Sequence, residues 1–116
     1  MIKTPNYNFT CPQGATFDVL LTWKDNAGDP VDLTGCSAAL QVRPTYSSPT
    51  PLIDIYSGDG ITLGDELGSI HLVVDAAITE AVPAGSYVYD LKITFESGSV
   101  SRLLQGKWQH TAEVTQ

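Results

Sequence analysis

The side chains best suited to nucleophilic, general-base or metal chemistry are His71, His110, Cys11 and Cys36. The two histidines stand at no metal-ligand spacing from one another. His71 alternates outward on a strand-like run and His110 falls near the end of the chain, so both read as surface groups. Neither cysteine belongs to a C-x-x-C pair, which argues against zinc. Two cysteines do not make a disulfide framework. They read as free, mostly buried thiols of a reducing cytoplasm, with a Cys11–Cys36 bridge as the alternative. No G-x-S-x-G elbow occurs, and no Gly-rich phosphate loop precedes a helix. The stretch "DIYSGDGITLGDELG" gathers Asp54, Asp59, Asp65 and Glu66. It looks like a calcium loop, but its spacing lacks the glutamate that such a loop needs at its end. Solvated turn carboxylates are the reading, with a weak calcium site as the alternative. Asp90 alternates with apolar residues and has no histidine or second carboxylate beside it, so it reads as a surface group and not a general base. No catalytic, metal or cofactor site is expected, and no enzyme activity.

The elements that carry these residues follow from patterning. "ATFDVLLTWK" (15–24) alternates Phe17, Val19, Leu21 and Trp23 against polar neighbours, with Leu20 the exception. Period two with β-branched and aromatic residues predicts a half-buried strand. "DNAGDP" (25–30) is dense turn chemistry. "CSAALQVR" (36–43), "LIDIY" (52–56) and "SIHLVVD" (69–75) read as further short strands, and the Pro-rich 44–51 as a loop. "AAITEAV" (76–82) is too short for an independent helix and reads as a one-turn corner. "SYVYDLKITFESG" then points Tyr87, Tyr89, Leu91, Ile93 and Phe95 to one side. The last stretch, from Val100, supplies one or two strands, with Gly106 as a bulge or break. The fold class predicted is all-β, an antiparallel β-sandwich of about 7–9 strands. Residues 15–116 are read as the single domain and 1–14 as an N-terminal arm with little periodicity.

Composition limits the partners. The chain has 116 residues, enough for one core. Its net charge is −7 and its six basic residues are spread out. Nucleic acid and anionic membrane surfaces are therefore excluded as partners, because both must be met by Lys and Arg. No apolar run approaches a membrane span or a signal peptide. Leu20, Val73 and Val88 occupy faces that should be polar, and Tyr46, Tyr56 and Trp108 are the aromatics outside inward positions. These six are the candidate partner contacts. The turn-Gly-x-Tyr at 85–87 resembles a tyrosine corner, with Tyr87 or Tyr89 as the hydroxyl donor.

Several motifs occur in order: "G-D-P-V-D-L-T-G", "A-A-L-Q-V-R", "P-A-G-S-Y-V-Y-D-L" and "G-S-V-S-R-L-L-Q-G". Spread over about 15–108, they resemble the N-terminal immunoglobulin-like module of baseplate upper proteins and tail-fibre attachment domains of tailed bacteriophages. Cys36 departs from the aromatic or aliphatic residue expected there. The resemblance implies an immunoglobulin-like sandwich and a non-enzymatic virion protein, made in the host cytoplasm. It implies a tail, baseplate or fibre adaptor present as a symmetric multi-copy assembly that binds other virion proteins. A head-decoration protein and a carbohydrate-binding module for the host surface are the alternatives. No fibre-forming segment follows the domain, which favours a separate adaptor or coat subunit over a receptor-contacting fibre.

The patterning itself is testable by chemical denaturation. Tyr89→Ala should cost about 3–5 kcal/mol as the loss of a buried aromatic, and Asp90→Asn less than about 0.5 kcal/mol as a surface change. A cost below about 1 kcal/mol at Tyr89 would mean that its side of the strand is not the core.

Overall fold

A computed structural model describes residues 7–112. Alternation becomes strand wherever the sequence shows it: β1 Phe9–Pro12, β2 Phe17–Thr22, β3 Ser37–Arg43, β4 Ile53–Ser57, β5 Gly60–Leu63, β6 Ser69–Val74, β7 Gly85–Thr94 and β8 Val100–Thr111. The one helix among the described residues is α1, Ala76–Ala81, at the corner predicted for it. The fold is the expected all-β sandwich. Its strands form one continuous sheet in the order β1-β8-β7-β3-β4-β5-β6-β2. Five of the seven ladders are antiparallel, and β1–β8 and β4–β5 are parallel.

One sheet makes two layers by folding at β4–β5. That ladder is only two residue pairs long, Tyr56↔Gly60 and Ser57↔Ile61. Gly60 sits there at φ +100°, and an added Cβ would lie 2.7 Å from Ile55 and 2.9 Å from the Val73 carbonyl. Only glycine gives the backbone both the conformation and the clearance for the fold-over. The first layer is β1-β8-β7-β3-β4 and the second is β5-β6-β2. Their inner faces share one core, with Leu40, Val42, Leu91 and Ile93 from one side and Ile70, Leu72 and Val74 from the other. The two ends of the sheet meet across it: the Phe9 ring lies 5.5 Å from Phe17, and Phe17 lies 4.6 Å from Trp108.

Three expectations are corrected. The 1–14 segment is not an arm over its described part. Phe9 and Cys11 are buried, and β1 runs parallel to β8 with Phe9 opposite Trp108. "F-T-C-P" already alternates, and that short period carried the strand; residues 1–6 lie outside the described residues. Trp108 and His110 are not surface groups but fully and almost fully buried. In "G-K-W-Q-H-T" they share the inward phase of β8 with Gly106, while Lys107, Gln109 and Thr111 point out.

Gly106 is neither a bulge nor a break. β8 passes straight through it, and an added Cβ would lie 2.3 Å from the Tyr7 carbonyl. The glycine lets the N-terminal segment press onto β8. The bulge comes earlier: Leu104 opposes Leu91 and Arg102 opposes Lys92, so Leu103 is the extra residue.

Gly106→Ala should therefore destabilise the fold by about 1–3 kcal/mol, the usual cost of forcing atoms into a filled space. Urea denaturation measures it. A loss below about 0.5 kcal/mol would mean that the segment around Tyr7 lifts off β8 at little cost.

Candidate functional site

The six candidate contact residues separate into three places. Val88, Tyr46 and Tyr56 belong to the outer face of the first layer. Leu20 and Val73 belong to the outer face of the second, and Trp108 is in the core.

The first-layer face is the richer. Register places Asp54, Gln41, Asp90 and Gln105 side by side across β4, β3, β7 and β8. A second row sets Arg43, Val88 and Lys107 together, and a third sets Lys92 opposite Arg102. A shallow groove of about 290 Å³ runs along this face, lined among others by Gln41, Arg43, Tyr46, Asp90, Lys92 and Arg102. Arg43 is held in place, donating to Gln41 Oε1 at 2.7 Å and to the Ser48 carbonyl. Arg102 lies 3.4 Å from the Asp90 carboxylate and donates to Gln105 at 3.2 Å. Tyr46, 65% exposed, stands on the 44–51 loop at the rim.

The second-layer face carries Leu20, 64% exposed, directly opposite His71, with Val73 opposite Asp18. His71 Nε2 and Asp18 Oδ1 are 2.6 Å apart. This imidazole–carboxylate pair lies on an open surface, and no nucleophile joins it among the described contacts. A catalytic triad needs that third group. Among the described residues no three His, Cys, Asp or Glu side chains converge to hold a metal ion.

His110 instead works inside the fold. Its Nδ1 accepts from the Trp108 indole N–H at 3.2 Å, so Nε2 carries the proton and donates to the Thr79 carbonyl at 2.7 Å. The Thr79 hydroxyl in turn donates to the Ala15 carbonyl at 2.8 Å and accepts from the Gly14 N–H at 3.1 Å. The chain Trp108–His110–Thr79 ties β8 to α1 and to the β1–β2 turn, and every polar group in it has a partner.

The ordered motifs of the sequence also serve the fold. In "V-D-L-T-G", Asp32 accepts from the Thr34 hydroxyl and backbone N–H, which hold its carboxyl below the usual range, while Leu33 enters the core. In "P-A-G-S-Y-V-Y-D-L", the Tyr87 hydroxyl donates to the Pro83 carbonyl four residues upstream, which is tyrosine-corner geometry. The Tyr89 hydroxyl reaches the Tyr7 carbonyl and fastens β1. In "G-S-V-S-R-L-L-Q-G", the two leucines make the bulge and the last glycine admits Tyr7.

No protein-family model matches the chain, and no curated protein does. Among solved structures it is similar to the extracellular domains of the voltage-gated sodium channel beta4 subunit, whose parallel homodimers are described as explaining its role in cell-cell adhesion. The likeness spans 98% of each chain at 12% identity and a TM-score of 0.39. It carries nothing about what this chain binds.

Both thiols are free. Burial pushes Cys11 from its ordinary 9.0 up to about 11, and burial with the nearby Asp32 and Glu96 charges raises Cys36 as well. A thiol that ionises later in the folded state favours folding below its unfolded pKa and loses that contribution as pH rises through the folded one. Stability should thus fall between pH 9 and 11, and Cys11→Ala should flatten part of that decline in denaturation midpoints. Burial raises Tyr89 too, so a further loss above its ordinary 10.0 should persist in the variant. An unchanged slope in Cys11→Ala would mean that the thiol meets solvent.

Proposed function

We propose that this chain is a non-enzymatic structural protein of a tailed-bacteriophage particle, an adaptor in the tail, baseplate or fibre-attachment region that joins other virion proteins. One structural observation supports the docking part of this reading. The charged side chains of the first layer lie on an open sheet face, and the groove they line is shallow. Arg43, Lys92, Arg102 and Lys107 spread over three strands of one face, which suits contact with another protein surface and not the enclosure of a small substrate. The phage part draws on the ordered motifs, each of which occupies a turn, corner or bulge that shapes the domain.

The carbohydrate reading loses one of its three aromatics with the burial of Trp108. Tyr46 and Tyr56 remain, on a loop and on β4, and two tyrosines make a poor stacking platform for a glycan. Head decoration differs from the adaptor role in number and place, not in chemistry.

Quantitative mass spectrometry of purified virions, scaled to the major capsid protein, tests the proposal. The adaptor reading expects a small count in multiples of about three or six, the product of closed symmetry. A count on the order of hundreds would replace it with head decoration on the capsid lattice. Absence from the particle would overturn the virion reading altogether.

A further inference from the structure

The charge of this protein is not evenly spread. Six basic residues serve a chain of net charge −7. Four of the six, Arg43, Lys92, Arg102 and Lys107, stand on the outer face of β3, β7 and β8, with two carboxylates, Asp54 and Asp90, in the row between them. Lys92 and Arg102 are direct cross-strand partners. Like charges in that position repel and weaken a sheet. Asp90 takes up the charge of Arg102 at 3.4 Å. Lys92 and Lys107 are exposed and have no ion pair among the described residues.

The opposite charge collects at one end of the sandwich. The loops around 24–36, 64–68 and 95–99 meet there. Trp23 donates to the Gly68 carbonyl at 2.8 Å, Gly35 packs against Glu96, and the Trp23 and Phe95 rings are 6.0 Å apart. These loops carry Asp25, Asp29, Asp32, Asp65, Glu66 and Glu96, with Lys24 the one base among them. Leu67, 59% exposed, projects from the same end. The molecule thus has a cationic side and an anionic tip with an apolar residue beside the acids.

We propose that the outer face of β3-β7-β8 is a docking surface for a second copy of this chain, which presents its acidic loop end, Asp65 and Glu66 foremost. The inference rests on the reading of the chain as an assembly module and names the contact. A side that meets a tip is a heterologous interface, so the contact repeats from copy to copy, in a ring where the rotation closes and in a filament where it does not. Nucleic acid is the poorer occupant of the same cations, because a long phosphate backbone also meets the net charge of −7. Opposed charges at an interface set orientation and association rate, and salt screens them.

Complementary charge reversal tests it on the full chain by sedimentation velocity, with thermal melts confirming that each variant folds. One variant is Lys92→Glu/Lys107→Glu and the other Asp65→Lys/Glu66→Lys. None of these four side chains makes a hydrogen bond or ion pair among the described contacts. The wild type is expected to self-associate at low ionic strength and to disperse as salt is added. Each variant alone should associate at least about tenfold more weakly, the scale of losing opposed charges at a contact. An equimolar mixture of the two variants should recover association, since a reversed face then meets a reversed tip. A wild type that stays monomeric at low salt, variants that associate as the wild type does, or a mixture that fails to recover would each overturn the proposal. A monomeric chain that is nevertheless recovered from virions would sink this contact and leave the adaptor reading standing. Charge-swapped association by a chain absent from virions would do the reverse.

Discussion

The indole of Trp108 is the point on which the two layers depend. It is fully buried, and its ring lies within 6.1 Å of Phe9, Phe17 and Tyr89, which belong to the first, second and seventh strands. A ring of this size contributes a large apolar area, and its N–H must find a partner once it leaves water. His110 supplies that partner and passes the requirement to Thr79. One side chain therefore joins the open ends of a folded sheet through its faces and anchors the α1 corner through its edge. Because the sheet does not close by backbone hydrogen bonds between β1 and β2, this aromatic cluster does the work that a further ladder would do in a barrel.

Much of this was legible in the sequence, for a definite reason. Strands that bury one face write a period of two, and β2, β3, β6 and β7 all carry it plainly. Leu40 and Val42, Leu72 and Val74, and Leu91 and Ile93 stand out against polar neighbours. The turn chemistry of 25–30 and 44–51 marks loops because Pro, Gly, Asn and Asp act through local geometry. What escaped was non-local. Whether Phe9 and Cys11 belong to an arm or a strand depends on β8, almost a hundred positions later in the chain. His110 looked like a surface histidine because its partner, the Thr79 carbonyl, is a backbone atom that no residue type announces. Gly106 signalled something unusual, and the cause was the approach of Tyr7, which only the folded chain brings near.

The bulge at Leu103 links fold to surface. Without the extra residue, β8 would keep one phase throughout, and Arg102 would share the inward side with Leu104 and Gly106. The bulge reverses the phase for the rest of the strand, from Arg102 back to Val100. Leu104 keeps its inward place opposite Leu91, while Arg102 joins Lys92 outside. The extra leucine is thus what sets Arg102 beside Lys92 on the outer face. The candidate site was for that reason hard to read in advance: its charges were visible one by one, while their alignment depends on a register shift.

The parallel pairing of the first strand with the last has a mechanical consequence. β1 and β8 run side by side in the same direction, so a pull applied before Phe9 and after Thr111 drags the two strands past each other along their length. The four pairs of that ladder are loaded together, and the Tyr89–Tyr7 and Lys107–Asn8 bonds with them, instead of parting one after another as in an unzipped hairpin. A domain tensioned between neighbours on either side would yield by shearing a whole seam, with the aromatic cluster beneath it resisting as one block.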